Sequence, residues 1–257
     1  MVTGNTRAKR VSLPLRSKVL RISIIDRLEI NEVEFFAVGH EERFLSHDKR
    51  YFCRACTDPD DGSGFLAIYE RENIYYQLRT LLQPYDSEPN DGFGMAVEFS
   101  KDSKYLVVGC DMKSSYIGAA YVFTNVGGGW RQASKLIPPD GHPSDQFGVS
   151  VSISDDNRVI VVGAPGSMVG YGSAYVFMTN KTEWILADKL VRAHKPMSTR
   201  KPIYELGTSV CIENPANGIK VTGLLGKDLE SEQVDVCYTY GQDGWEQGCI
   251  LLKPCLL

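Results

Sequence analysis

The stretch from Asp145 to Leu190 decides the fold: DQFGVSVSISDDNRVIVVGAPGSMVGYGSAYVFMTNKTEWILADKL. It contains four runs of β-branched and aromatic residues, separated by clusters of Gly, Pro, Asn and Asp. This pattern is typical of short strands joined by tight turns. The predicted strands span 147–154, 159–162, 174–177 and 184–190. A single sheet cannot bury both of its faces, so the pattern predicts neighbouring copies of the same unit.

The chain does repeat this unit, with a period of 54 residues. Subtracting 54 moves Phe147 onto Phe93 and Trp184 onto Trp130 without any insertion. A second subtraction gives a weaker first copy, and a fourth copy follows with small insertions, ending near Trp245. The copies span 36–82, 91–136, 145–190 and 204–252. A period of about 50 residues with four strands per unit indicates a propeller-like array.

We therefore predict an all-β protein, a β-propeller or partial propeller of about four four-stranded antiparallel blades within residues 20–257. Residues 1–19 are basic and predict a flexible extension. Residues 20–30 predict an extra strand, the fourth strand of a blade whose other strands are absent. Two architectures stay open: a closed four-bladed ring with an extra strand, or an open piece of a larger propeller. An open piece would expose its terminal blades and self-associate.

The motifs of the third copy identify a family. The pair Phe147-Gly148 followed by Gly163-Ala164-Pro165 resembles the FG-GAP repeat of integrin alpha-subunit β-propellers and their relatives. The resemblance covers roughly residues 36–252 and is good in the second copy, where Gly109-Cys110-Asp111 replaces Gly-Ala-Pro. The first and fourth copies keep the spacing but lose the motifs. The resemblance implies a binding platform for proteins or ligands, and usually not a catalyst.

Composition narrows the class of protein. The net charge of −4 argues against general nucleic-acid binding. No stretch predicts a transmembrane helix, and no secretory signal is visible at the start. The seven cysteines lie mostly among apolar neighbours, as free structural thiols do. This pattern favours a cytoplasmic protein, whereas the family resemblance leaves an extracellular location open.

No catalytic, cofactor or metal motif is found. The four histidines are scattered, and no nucleophile elbow, dinucleotide loop or Walker loop is present. Cys53 and Cys56 form a Cys-x-x-Cys without the second pair that a zinc site needs. Integrin-type repeats often carry a calcium loop where this chain has the turns 100–104 and 154–158. These turns are too short to wrap the ion, so we expect no calcium there.

Alternating strand directions place the loops after strands two and four of each blade on one face of the array. This face receives the longer and more varied loops, which is where rigid scaffolds concentrate function. The candidate partner-binding residues in these loops are Asp111, Tyr116, Asp140, His142, Met168 and Tyr171.

The predicted function is a non-catalytic, adhesion-like platform that binds a protein or ligand through these loops, without a cofactor. A small-ligand-binding or enzymatic propeller that uses the central channel stays open as an alternative. So does an open fragment of a larger propeller protein.

Overall fold

The computed structural model describes residues 44–191 and 206–213 and, outside these ranges, the strands given below. The second blade contains β9 (Phe93–Phe99), β10 (Tyr105–Cys110), β11 (Ala119–Val126) and β12 (Gly129–Leu136). The third contains β13 (Ser150–Ile153), β14 (Val159–Ala164), β15 (Ser173–Thr179) and β16 (Trp184–Leu190). The fourth contains β17 (Val210–Glu213), β18 (Lys220–Leu225), β19 (Glu232–Gly241) and β20 (Gly244–Pro254). Each of these sheets is an antiparallel meander, as predicted.

The first blade differs from the other three. Its strands are β6 (Tyr51–Thr57), β7 (Gly64–Glu72) and β8 (Tyr75–Leu82), and β5 (Arg27–Glu29) extends the sheet beyond β8. Arg27–Glu29 therefore belongs to the edge of the first blade, and its assignment to an otherwise absent blade is wrong. The inner strand expected before β6 falls mostly outside the described residues; within them, Leu45 forms an isolated bridge with Phe52.

Further short strands precede the first blade. They are β1 (Lys9–Val11), β2 (Pro14–Leu15), β3 (Lys18–Val19) and β4 (Ile22–Ile24). β1 pairs with β4 and β2 pairs with β3, both antiparallel. Three of these strands lie within residues 1–19, for which the sequence predicted a flexible extension.

The hydrophobic core lies between successive blades. Alternate residues of each strand point to opposite sheet faces: in β10, Leu106 and Val108 pack toward the first blade, and Val107 packs toward the third. Aromatic pairs repeat at the outer edges, with ring centroids of Tyr51 and Trp130 5.5 Å apart and those of Tyr105 and Trp184 6.0 Å apart. The recurring aromatic residues therefore pack between blades.

The glycines of the two motifs meet across the blade interface. Gly148 has φ of +99°, and a Cβ on Gly109 of the preceding blade would lie 1.8 Å from the Gly148 carbonyl oxygen. Gly207 repeats this contact on Gly163, where the same distance would be 1.9 Å. Two blades approach this closely only because neither glycine carries a side chain. The two halves of the motif thus interlock neighbouring blades.

The described sheets do not close into a ring, so the open architecture is the one found. The expected exposure of the terminal blades is wrong for the first blade. Its face away from the second blade carries Phe65, Ala67 and Tyr69, all of which are at most 1% exposed. An open end does not therefore leave this sheet face in water.

Candidate binding face

We define the loop face as segments 57–63, 83–92, 111–118, 137–146 and 165–172, together with Val191. Backbone hydrogen bonds join each segment to the next around the array. Asn90 N–H donates to the Gly62 carbonyl, and Met112 N–H donates to the Asp91 carbonyl, each at 3.1 Å. Gln146 N–H donates to the Tyr116 carbonyl at 2.8 Å, and Gly166 N–H donates to the Asp145 carbonyl at 3.1 Å. The loops therefore form one connected surface.

The structure presents three of the predicted aromatic and apolar residues on this surface. Tyr116 is 48% exposed, Met168 50% and Tyr171 39%. Asp140 and His142 are also exposed, in the segment that lies between those of Tyr116 and Met168. Asp111 differs from the other five because it is buried, so its side chain is not available to a partner.

Two four-residue turns shape the middle of the loop face, and in the first of them Ser114, Ser115 and Tyr116 all have positive φ. They are α1 (Lys113–Tyr116) and α2 (Ser167–Gly170). Tyr116 has φ of 64°, and the equivalent position in α2 is Gly170, with φ of 87°. A left-handed backbone costs a side-chain-bearing residue about 1–2 kcal/mol, whereas glycine adopts it freely. Tyr116 therefore holds an exposed ring at a position where the copy of this turn has glycine.

A carboxylate, a phenol and an ammonium recur at the loop face of both central blades. In the second blade, Tyr121 donates to Asp86 at 2.9 Å, and Lys135 donates to the other oxygen of Asp86 at 2.6 Å. Partial burial opposes ionisation of Asp86, but these two hydrogen bonds outweigh it and lower the pKa of the carboxyl. Burial raises the pKa of Tyr121, and the hydrogen bond to Asp86 raises it further.

The third blade repeats this arrangement. Tyr175 donates to Asp140 at 2.9 Å, and Lys189 donates to the other oxygen at 2.7 Å. Partial burial again opposes ionisation, and the hydrogen bonds from Lys189 and Tyr175 again lower the pKa of Asp140. The predicted candidate Asp140 is thus an anchor that ties the interblade segment 137–146 to the third blade.

The second blade adds a buried cation that the third lacks. Lys113 Nζ lies 2.7 Å from Asp91 Oδ2 and donates to the Asp86 carbonyl at 2.6 Å. The side chains of Lys113 and Asp91 are only 5% and 6% exposed. Burial disfavours the charged ammonium, but the ion pair with Asp91 outweighs it and raises the pKa of Lys113. Ser167 takes this position in the third blade, 3.3 Å from Lys189 Nζ.

Asp111 is a second buried ionisable residue of segment 111–118. Its Oδ1 is buried and has no hydrogen-bond partner in the described residues. Burial raises the pKa of the Asp111 carboxyl. A side chain on Gly92 would lie 2.7 Å from this oxygen, so the carboxyl is packed against backbone. Asp111 occupies the place of Pro165, which is also buried.

The prediction from the sequence did not include several exposed residues of the loop face. Tyr85, Ile137 and Val191 are large apolar residues with exposed fractions of 67%, 55% and 36%. Ile137 and Val191 are 54 positions apart, directly after the last residue of an outer strand. This repeat position gave a signal that was available from the sequence. The buried role of Lys113 had no such signal, because a lone lysine in a polar loop predicts a solvated side chain.

The opposite face carries the short hairpins 46–50, 73–74, 100–104, 127–128, 154–158 and 180–183, which we call the hairpin face. Three of its turns repeat one arrangement, in which a serine hydroxyl donates to the carboxylate two residues later, such as Ser100 to Asp102 at 2.9 Å. Neighbouring turns are linked, because Asn157 Nδ2 donates to Asp102 at 2.9 Å. The carboxylates of these turns are engaged by the protein itself.

The described residues contain no candidate ion site and no candidate membrane-spanning helix. Across the residues that the structure describes, no three His, Cys, Asp or Glu side chains are grouped as metal ligands. The expectation of no calcium at turns 100–104 and 154–158 stays a prediction. In the same residues, no helix has the length and apolar character to cross a bilayer.

Cys53, Cys56 and Cys110 are free thiols. Cys53 and Cys110 are buried, Cys56 is half-buried and Cys211 is exposed. Burial raises the pKa of Cys110 to about 12, which keeps the thiol protonated and unreactive at neutral pH. Burial also raises the pKa of Cys53.

A family model supports the sequence motifs. The model for the FG-GAP repeat matches residues 130–177. The chain carries an FG-GAP repeat. The matched segment begins in β12, at the outer edge of the second blade, and continues through the interlocking glycines to β15. The repeat is of the kind found in integrin-type β-propellers. No curated protein gave a significant match to the chain.

Proposed function

We propose that this FG-GAP repeat protein is a non-catalytic platform that binds a protein through its loop face. One observation carries the proposal. Ten large hydrophobic side chains are exposed among the described residues, and six of them lie on the loop face: Tyr85, Tyr116, Ile137, Met168, Tyr171 and Val191. Exposed apolar residues that gather on one surface are typical of interaction sites, whereas singly scattered ones are not.

The residue types suit a protein partner. Tyrosine provides a large contact area with a polar tip and is enriched at interfaces, and methionine adapts its shape to a partner surface. The rigid blades below hold these side chains on short, hydrogen-bonded loops, which lowers the entropy lost on binding. The face is therefore preorganised.

Backbone conformation adds independent support. Tyr116 and Met168 both have positive φ, at 64° and 53°, and both are about half exposed. Strained backbone conformations cluster at functional sites. Positive φ is not confined to the loop face, since Lys49 and Ser103 of the hairpin face also have it. At Tyr116 the alternative is visible in the same chain, because Gly170 occupies the equivalent turn position.

A catalytic role has less support. The titratable groups at the centre of the loop face are engaged with one another, as in the contacts of Asp86, Asp140 and Lys113. Such groups stabilise the loops and are not poised for proton transfer. FG-GAP repeat proteins are also generally not enzymes.

Peptide selection tests the proposal. A display library of random peptides is selected on the full-length protein, and each recovered peptide is measured against Tyr116→Ser and Tyr171→Ser. Val126→Ser and Ile74→Ser on the hairpin side are the matched controls, since these residues are 67% and 63% exposed. We expect peptides whose affinity falls about tenfold or more with the loop-face variants only. Peptides that respond equally to both sets of variants, or no peptides at all, would contradict the proposal.

A further inference from the structure

The two faces of the array differ in charge. The described segments of the loop face contain nine carboxylate side chains and one lysine, Lys113. The six described hairpins of the opposite face contain five carboxylates and six lysines or arginines. The described segments of the loop face are therefore acidic, and the described hairpins are close to neutral, while segment 192–205 after β16, outside the described residues, contains Arg192, Lys195, Arg200 and Lys201. A surface that concentrates charge of one sign attracts partners of the opposite charge.

Among the described residues, the three lysines near the loop face form ion pairs within the protein. Lys113 is buried against Asp91, and Lys135 and Lys189 at the ends of the outer strands are bound to Asp86 and Asp140. Their charges are neutralised by carboxylates of the same face. The carboxylates outside these three ion pairs determine the electrostatic potential at the surface.

Some of these carboxylates lie beside the exposed tyrosine of segment 83–92. The Glu88 side chain is 70% exposed, and its carboxylate is 3.8 Å from Lys113 Nζ, beyond hydrogen-bond distance. Asp60 is exposed in segment 57–63, which the Asn90–Gly62 hydrogen bond joins to segment 83–92. Tyr85, at 67% exposure, lies in the same segment as Glu88. Negative charge and apolar area are therefore adjacent.

We infer that the partner of the loop face is a basic protein segment that carries lysine or arginine together with apolar side chains. This inference rests on the proposed function and specifies its ligand. The apolar residues supply contact area, while Asp60, Glu88 and their neighbours attract and orient the cations of the partner. A partner with acidic residues would meet like charge on this face.

Two labelled peptides of equal length test the inference. One contains lysine, tryptophan and serine, and the other has glutamate in place of each lysine. Fluorescence anisotropy measures their binding to the full-length protein at about 50 mM and about 300 mM salt, which brackets physiological screening. Glu88→Lys and Asp60→Lys are the test variants. Glu183→Lys on the hairpin face is the control, because it changes the net charge equally.

We expect the lysine peptide to bind at low salt, more weakly at high salt, and about threefold to tenfold more weakly to Glu88→Lys or Asp60→Lys than to Glu183→Lys. Glutamate-peptide binding of similar strength would overturn the inference. Equal weakening by Glu183→Lys would also overturn it, and so would the absence of any binding of the lysine peptide. A dimer that Tyr116→Ser dissociates would overturn it too, because a second copy of the chain would then be the partner of the loop face. The selection experiment separates the two proposals, because acidic or neutral peptides specific for the loop face would overturn the basic partner and leave the platform standing.

Discussion

The second and third blades have the same four strands, 54 positions apart, yet they differ on the loop face. The second blade buries Lys113 where the third has Ser167, and it exposes Tyr116 where the third has Gly170. Both blades retain the strand residues that pack between sheets. The comparison separates the residues that build a blade from those that distinguish one blade from another, and the second group lies where we place the binding site.

The largest effect is expected where the two blades agree. Gly109→Ala and Gly163→Ala would each place a methyl group within 2 Å of a backbone oxygen of the next blade, at 1.8 and 1.9 Å. Because the obstacle is backbone, each variant should lower the free energy of unfolding by about 3 kcal/mol or more. Urea denaturation followed by circular dichroism measures this.

The first blade supplies the control for these glycines. Ala55 occupies the position equivalent to Gly109, and a Cβ on Gly94 of the next blade would lie 3.1 Å from the Ala55 Cβ. This junction already accommodates a methyl group, so Ala55→Gly should change the free energy of unfolding by at most about 1 kcal/mol. A small effect of Gly109→Ala, similar to that of Ala55→Gly, would show that the blades separate easily and that the glycines do not interlock them.

The next largest effect is expected where the blades differ in buried charge. Lys113→Ser makes the second blade resemble the third and leaves Asp91 buried without its ammonium partner, at a cost of about 3 kcal/mol. Lys135→Ser is the matched control, because the Lys135 side chain is 36% exposed and its ion pair contributes less than about 1 kcal/mol. Equal losses in the two variants would mean that burial does not strengthen the Lys113–Asp91 pair.

The stability difference between wild type and Lys113→Ser should decrease as the pH rises. The pKa of Lys113 is raised in the folded state. The stabilisation by its charge is therefore complete below the unfolded pKa of about 10.4 and is lost as the pH rises through the folded value. Wild type and Lys113→Ser should consequently converge in stability in strongly alkaline solution.

A smaller effect of opposite sign is expected at the turn with positive φ. Tyr116→Gly should raise the free energy of unfolding by about 0.5–1 kcal/mol, because the left-handed strain exceeds the entropy that glycine adds to the unfolded chain. Gly170→Ala should lower it by about 1 kcal/mol through conformation alone, since no atom lies within 4 Å of the added Cβ. Loss of peptide binding in the more stable Tyr116→Gly variant would show that Tyr116 lowers the stability of the protein but is needed for binding. A clearly destabilised Tyr116→Gly would show that the ring supports the fold.

Periodicity allowed much of the fold to be predicted. Strand identity and blade count followed from residues such as Phe147 and Trp184, because a repeated hydrophobic pattern reports the repeated environment directly. The face that carries the exposed Tyr116 and Met168 followed from strand alternation. These features depend on local pattern and spacing.

Features that depend on contacts between distant residues were not predicted. The glycine motifs predict local turns from the sequence. The close contact between Gly109 and Gly148 exists only when two folded blades pack together, so the motifs of one blade do not predict it. Burial of Asp111 and Lys113 depends on how segments 83–92 and 111–118 pack against each other. The polarity of these two residues alone predicts that their side chains are exposed, which is wrong. The pairing of Arg27–Glu29 with β8 likewise has no signal in the 54-residue period.

The smallest effect concerns the carboxylates that the two blades share. Asp86→Asn and Asp140→Asn should each destabilise the protein by less than about 1 kcal/mol at neutral pH, because these ion pairs are partly exposed and screened. The loss should be larger for Asp86→Asn, since Asp86 faces both Lys135 and Lys113, whereas Asp140 faces Lys189. Both carboxyls have lowered pKa values, so their contribution is present above the unfolded pKa of about 3.9 and is lost as the pH falls through the folded value. Thermal unfolding of both variants from neutral to acidic pH should show the gap to wild type closing in that window. A gap that persists at low pH would show that the effect does not depend on the charge of the two carboxylates, and the ion pairs with the lysines would then play no part in holding the loop face on its blades.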